Sequence, residues 1–327
     1  MKNKVLEYLK KSNDYVSGEN ISNKLNVSRT AIWKNINKLK EEGYNIESSS
    51  KKGYKLIESP DILTQGEIKP FLTTSYIGNS ILYYETLEST NQEIRSLAGN
   101  GEKEGLVLIA DYQTKGKGRL QRPWVGSSGE SIAMSILIRP DIPPYMAPSI
   151  TQVVALSVCK ALRNVSGLDF KIKWPNDIII NGKKVCGILT EMDGEIDCLN
   201  YIIVGIGINV NQESMPSDIS HKATSLKIEL NKNIQRKDIV INILNEFEKG
   251  YEIFKSHGIK PFINELKNYS ALINKSVVIS NPFKSFNAKV VDIDNEGYLI
   301  VENENGERES VVGGDISIRG ESSYLPK

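Results

Sequence analysis

Apolar positions recur at helical spacing through the first forty residues. Val5, Leu6 and Leu9 make one stripe. Ile21 and Leu25 make another behind Ser17, whose hydroxyl suits an orphan N–H at a helix start. After a short turn at Asn26 and Val27, Ser28 predicts the start of a third helix. That helix buries Ile32, Ile36 and Leu39 at i, i+4 and i+7 and stops at Gly43. The period then changes to two: Tyr44 and Ile46 lead into a Ser- and Lys-rich turn ending at Gly53, and Tyr54 and Leu56 return. Two helices across a tight turn, followed by a basic hairpin, predict a winged helix-turn-helix over residues 1–60.

Ser59-Pro60-Asp61 reads as a linker, and Thr64 with Glu67 as a capping box that opens a second domain, 64–268. Its strand patterns fall at 81–85, 106–111, 131–138, 170–174, 177–181, 184–191 and 201–208, and its helix patterns at 90–98, 148–163, 236–255 and 260–268. Ser131–Ile138 nearly alternates, which predicts a half-buried strand. Asn181-Gly182 between two apolar runs predicts a hairpin, so the sheet is expected to be mixed. A third domain, 271–327, carries short strand patterns at 276–280, 286–293, 297–302 and 308–312, a length that suits a small SH3-like β-barrel. The fold class expected is α+β.

Charge adds little at first. Formal net charge is +1 over 327 residues, so any nucleic-acid surface must be local. In the third helix, Ser28, Arg29, Thr30, Lys34, Asn37 and Lys38 lie away from the apolar stripe, within reach of base edges and phosphates. Lys51 and Lys52 sit at the hairpin tip. Trp33 borders the buried stripe, where it suits packing against the hairpin. Winged helices also bind proteins, and lysines on a helix are commonly a solvated face, so two readings stay open. The three cysteines, Cys159, Cys186 and Cys198, are read as buried thiols of a reducing compartment, and His221 and His257 as structural or surface residues. The charged N-terminus and short apolar runs predict a cytoplasmic protein with no membrane span and no bound structural metal.

Candidate chemistry gathers in the middle segment. Gln113 to Trp124 is a loop with Gly116 and Gly118 among Lys117, Arg119 and Arg122, a pattern fit to hold carboxylate or phosphate. Lys173-Trp174-Pro175-Asn176-Asp177 runs through the hairpin to Lys184 and Gly187. Gly205 and Gly207 lie inside a strand ending at Asn209, where they are costly unless something approaches the backbone closely. Ser89-Thr90-Asn91 opens a helix with an N-cap.

These motifs, in this order and spacing, resemble the biotin protein ligases. With the N-terminal head and C-terminal segment, the whole chain is similar to the bifunctional kind that also represses the biotin operon. The family loop usually reads Gly-Arg-Gly-Arg-x-Gly-Arg; this chain has Lys117 at the first Arg and Gln121 at the third Gly. The resemblance implies formation of biotinyl-5′-AMP from biotin and ATP with Mg²⁺, then transfer to a lysine of the biotin carboxyl carrier protein of acetyl-CoA carboxylase. It implies that Ser89, Thr90, Asn91 and Gln113 hold the biotin head group. Gly116, Lys117, Gly118 and Arg119 cover biotin and phosphates, with Arg122 beside them. Lys184 bridges carboxylate and α-phosphate, Gly187, Gly205 and Gly207 admit the ligand, Asn209 adjoins them, and Trp124 walls the adenylate. Asp177 has two candidate roles, orienting the incoming lysine or holding Mg²⁺ through water. An adenylate-bound homodimer on operator DNA is implied as well. A lipoate ligase lacks the head, and its Gly-Gly-Gly loop is missing here; a ligand-sensing regulator without turnover is the other alternative.

Overall fold

The computed structural model describes residues 1–195, 197–280, 285–312, 317–320 and 324–325. The chain divides into two compact units, Met1–Phe71 and Leu72–Lys327.

In the first unit, α1 (Lys2–Lys10), α2 (Gly18–Leu25) and α3 (Arg29–Glu41) precede a hairpin of β1 (Asn45–Ser49) and β2 (Gly53–Glu58), then a short α4 (Gln65–Ile68). Ser17 Oγ accepts from Asn20 N and Ser28 Oγ from Ala31 N, both at 3.1 Å, so each hydroxyl satisfies an orphan donor as its sequence position predicts. Asn26 turns the chain with φ 51°, and Gly43 with φ 91° lets Tyr44 N reach Leu39 O at the end of α3. The three apolar stripes meet in one core of Val5, Leu6, Leu9, Ile21, Ile32, Ile36 and Leu39, each at most 1 % exposed. Burial of such side chains contributes about 1.5–3 kcal/mol each, the main source of stability for so small a unit.

The expected capping box at Thr64 does not form. Glu67 is instead fully buried and paired with Lys10 at 2.6 Å, so α4 packs with the head rather than opening the next unit.

Among the described residues of the second unit, seven strands form a mixed sheet: β3 (Ile81–Leu87), β4 (Val107–Gln113), β5 (Ser131–Ile138), β6 (Lys171–Lys173), β7 (Asp177–Ile180), β8 (Lys183–Gly194) and β9 (Leu199–Asn209). The spatial order is β3-β4-β5-β9-β8-β7-β6, with β3–β4 parallel and the rest antiparallel. Asn181 and Gly182, at φ 48° and 79°, make the tight β7–β8 turn. The helices are α5 (Thr90–Gly99), α6 (Ile150–Ser166), α7 (Leu226–Leu230), α8 (Arg236–His257) and α9 (Ile263–Tyr269).

Three expectations are corrected here. Ser131–Ile138 is buried along its whole length, because β5 is central and covered on both faces; its alternating small polar residues, Ser131 and Ser135, hydrogen-bond inside. Pro144–Ser166 is long and apolar enough to cross a membrane, contrary to the reading of short runs, yet 72 % of its apolar window is buried within the protein. Cys159 and Cys186 are buried, but Cys198 is exposed in the β8–β9 connection.

A second sheet of five antiparallel strands follows: β10 (Ser276–Ser280), β11 (Ser285–Ile293), β12 (Leu299–Glu302), β13 (Arg308–Val311) and β14 (Ser317–Arg319), in the order β13-β12-β11-β10-β14. No closed barrel is found among the described residues; parts of the predicted 271–327 domain (281–284, 313–316, 321–323 and 326–327) lie outside them. Trp174 Nε1 donates to Gly297 O at 2.9 Å, fixing this sheet beside the Lys173–Asp177 motif.

Candidate active site

Gly205 and Gly207 lie mid-strand in β9, where Ser135, Leu189, Ala133 and Gly187 face them in the register. Their missing side chains leave room for other groups: a Cβ on Gly205 would lie 3.0 Å from Asn91 Cγ, and one on Gly207 would lie 2.5 Å from the Trp124 ring. The two glycines are thus the floor of a cavity of about 850 Å³.

One end of that cavity is a neutral hydrogen-bonding cluster at the start of α5. Gln113 Oε1 accepts from Thr90 N at 2.7 Å and Thr90 Oγ1 at 3.1 Å. Ser89 holds the N-cap position without a side-chain cap bond, and Gln113 satisfies the orphan N–H of Thr90. Ser135 Oγ lies 2.7 Å from Thr90 Oγ1 and 2.6 Å from Asn91 Oδ1, and Asn91 Nδ2 donates to Glu191 at 2.7 Å.

The other end is cationic. The basic loop closes on itself through Gly118 N to Arg122 O (2.8 Å) and Trp124 N to Gly116 O (2.9 Å). Leu120 and Gln121 both take left-handed backbone, at φ 55° and 56°. Gln121 therefore adopts, at a cost in strain, the conformation that the family's glycine accepts freely. Arg119 Nη1 donates to Asn176 Oδ1 at 2.8 Å. Lys184 Nζ pairs with Asp177 Oδ1 at 2.7 Å, and Tyr324, beyond β14, donates its hydroxyl to Asp177 Oδ2. Lys173 Nζ stands 3.3 Å from the centre of the Tyr324 ring. Burial would raise the Asp177 carboxyl, but the charge and hydrogen bond of Lys184, with help from Tyr324 and Lys173, hold it below the usual carboxylate range. Burial pushes Lys173 down to about 7, with Lys184, Arg319 and Arg122 adding repulsion and Asp177 opposing them.

The cavity brings together Ser89, Thr90, Asn91, Gln113, Lys117, Gly118, Arg119, Arg122, Trp124, Asp177, Lys184, Gly187, Gly205, Gly207 and Asn209. Gly116 does not line it; its role is close packing, since a Cβ there would meet Trp124 O at 2.7 Å. Asn209 lines the wall but spends its side-chain amide on Thr224 O at 3.0 Å, so it also ties down the 211–225 loop. Lys173, Asn176, His221, Lys222, Arg319 and Tyr324 also line the cavity and were not singled out from the sequence. Lys173 and Asn176 stood within a recognised motif. His221 was read as structural because no partner lay nearby in sequence, and for Arg319 and Tyr324 the chain carries no local signal.

Two groups far apart in sequence brace both covering loops. Arg236, 1 % exposed, donates to Asp111 Oδ1 at 2.8 Å and to Ser131 O at 2.9 Å. Ser131 Oγ accepts from Gln212 Nε2 at 2.6 Å and Ser127 N at 2.9 Å, joining the end of the basic loop to the 211–225 loop. The latter loop also pairs with the Lys184 backbone, through Lys184 N to Lys222 O (2.8 Å) and Thr224 N to Lys184 O (2.9 Å).

In the head, Ser28, Arg29, Thr30, Lys34 and Lys38 are exposed on α3, Asn37 is half-buried, and Lys51 and Lys52 are exposed at the hairpin tip. Arg29 is paired with Glu19, and Trp33 is 54 % exposed.

A cationic, glycine-floored cavity beside a neutral hydrogen-bonding cluster can hold an anionic group at one end and a neutral polar group at the other. The biotin/lipoate A/B protein ligase family matches residues 83–209. An HTH domain matches 2–55, and the biotin protein ligase C-terminal domain matches 272–319. The bifunctional ligase/repressor BirA of Bacillus subtilis is 40 % identical over 296 residues, 90 % of this chain and 91 % of that protein. Its Escherichia coli counterpart is 28 % identical over 94 % of each chain. Among solved structures, a biotin protein ligase from Aquifex aeolicus in complex with biotin and ATP is similar, with TM-score 0.66 and 28 % identity, covering 74 % of this chain and 99 % of that one. The chain belongs to the bifunctional ligase/repressor BirA family.

Proposed function

We infer that this protein adenylates biotin with ATP and passes the biotinyl group to a lysine of the biotin carboxyl carrier protein. The observation that carries this reading is one cavity holding Arg119 and Lys184 at its cationic end and Thr90, Asn91 and Gln113 at its neutral end, with the buried Ser135 hydroxyl bracing Thr90 and Asn91 from behind. The neutral cluster offers donors and acceptors for an uncharged ureido ring. The cations offset the repulsion between a carboxylate and a triphosphate. The carboxylate is already ionised, so positioning and charge suffice for the first step.

In this reading Lys184 bridges the biotin carboxylate and the α-phosphate, Lys117, Arg119 and Arg122 cover the phosphates, and Trp124 walls the adenylate. Mg²⁺ accompanies the ATP phosphates. Asp177 is poorly suited to ligate it directly, because both of its oxygens are already engaged by Lys184 and Tyr324. A DNA-binding head, a ligase domain that begins after the Met1–Phe71 unit rather than at residue 64, an SH3-like barrel over 271–327 and a cytoplasmic setting complete the reading. The exposed α3 face, with Lys34, Lys38 and the hairpin lysines, reads operator DNA when the adenylate brings two copies together, since a symmetric dimer reads an inverted repeat.

The test is to incubate the protein with biotin, ATP and Mg²⁺. We expect retained biotinyl-5′-AMP, a shift in mass from monomer to dimer, and binding to the promoter DNA of biotin genes. Adenylate retention without a dimer or DNA binding would leave an enzyme alone. Failure to form adenylate would refute the whole reading.

A further inference from the structure

The second half-reaction must admit one amine and reject water. Its centre is Asp177. Oδ1 accepts from Lys184 Nζ at 2.7 Å and from Asn176 Nδ2 at 3.2 Å, and Oδ2 accepts from the Tyr324 hydroxyl. Tyr324 is held by its ring as well, with the buried Lys173 Nζ 3.3 Å from the centroid. It belongs to the stretch following β14, whose Arg319 and Gly320 line the same cavity.

We propose that Tyr324 is a specificity-determining residue of the transfer step: its hydroxyl occupies the Asp177 oxygen that would otherwise orient water or a stray amine toward the anhydride, and gives it up to the carrier lysine. The inference rests on the ligase reading above. A carboxylate oxygen beside an acyl phosphate orients any donor that reaches it. The Tyr324 hydroxyl and water are both neutral donors to the same carboxylate, whereas an ammonium adds its own full charge to the bond. A docked carrier also presents its lysine at high effective concentration. The carrier lysine therefore displaces Tyr324 where water does not. The ammonium first gives up one proton through Asp177 Oδ2 to solvent. The neutral amine nitrogen then bonds to the acyl carbon, the bond from that carbon to the phosphate-bridging oxygen breaks, and a second proton leaves the nitrogen. AMP leaves with the electron pair. Burial first, and then the neighbouring Asp177 charge, raise the Tyr324 pKa, so the hydroxyl keeps its proton and remains a donor at working pH.

The experiment follows preformed adenylate. Protein is loaded with biotin, ATP and Mg²⁺, freed of excess reagents, and challenged with carrier protein or with neutral hydroxylamine. Products are counted as biotinylated carrier, biotin hydroxamate and free biotin, with intact adenylate measured in the flow-through. For Tyr324→Phe, which keeps the ring on Lys173, the ratio of hydroxamate plus hydrolysis to carrier product should rise roughly tenfold, below the full effect of a positioned proton acceptor. In an Asp177→Asn background the same substitution should leave the ratio unmoved. A wild-type ratio in Tyr324→Phe overturns the inference, as does adenylate lost intact to the flow-through or an equal rise in the Asp177→Asn background. Wild-type protein that forms no biotin-dependent adenylate overturns the ligase reading itself, and the inference with it.

Discussion

Gly205→Ala should weaken biotin binding by moving a residue it never replaces. The added methyl would overlap Asn91 Oδ1 and lie 3.0 Å from both Asn91 Cγ and Nδ2, several tenths of an ångström inside ordinary contact. β9 cannot retreat, because β5 and β8 pair with it on both sides. Asn91 must therefore swing, and two bonds go with it, Ser135 Oγ to Oδ1 (2.6 Å) and Nδ2 to Glu191 (2.7 Å). Each is worth about 0.5–1.5 kcal/mol, or up to about 3 where the partner is charged, and overpacking adds about 1–3 kcal/mol. These losses fall on the free and bound protein alike and lower stability by about 2–4 kcal/mol, whereas biotin affinity falls by the ligand bonds the displaced Asn91 no longer makes, about 1–3 kcal/mol or roughly 5- to 150-fold in Kd. Titration calorimetry with biotin measures it directly, and a Gly205→Ala/Asn91→Ala double variant should lose much less than the two single losses combined, since the clash has gone. Wild-type affinity in Gly205→Ala, or strict additivity in the double variant, would refute the steric argument.

Three further outcomes can be checked. Gln121→Gly should raise stability by about 0.5–1 kcal/mol, the left-handed strain relieved less the entropy of a freer unfolded chain, and a lower Tm would contradict it. Lys173, at about 7, is mostly neutral at pH 8, and bound phosphate favours its charged form. ATP binding at pH 8 should therefore take up close to one proton, seen as a buffer-dependent heat, and Lys173→Met should abolish the uptake. The same depression means that the unfolded chain holds more protons than the folded one between about 7 and the ordinary lysine value, so Lys173 makes stability rise with pH across that window. Arg236→Leu should cost about 1.5–3 kcal/mol by leaving the half-buried Asp111 without its cation, and a Tm within a degree of wild type would count against the brace.

Much of the architecture was legible because local chemistry and tertiary packing agree. Ser17, Ser28 and Gly43 mark helix ends that the structure keeps, and Asn181-Gly182 makes the turn it predicts. Legibility failed where a distant partner decided the outcome. Glu67 looked like a cap and became half of a buried pair with Lys10. Ser89 or Thr90 looked like a cap, but no side-chain cap bond forms at Ser89, and Gln113, twenty-odd residues on, takes the Thr90 N–H. Ser131 and Ser135 looked solvent-facing, but Gln212, Thr90 and Asn91 satisfy their hydroxyls inside the protein. In the cavity, the strand glycines were readable because glycine there is costly without a reason. Tyr324 and Arg319 were not, because nothing beside them in the chain distinguishes them from an ordinary tail. Their meaning comes from a sheet that sets them against Lys173 and Asp177.

The central claim is that clustered cations cancel the repulsion between biotin's acid group and ATP. Biotin-dependent exchange of labelled pyrophosphate into ATP, compared between wild type and Lys184→Ala, tests it most directly. Removal of that charge should cost about 3–4 kcal/mol, so exchange should fall by two to three orders of magnitude. Exchange within a few-fold of wild type would contradict the account.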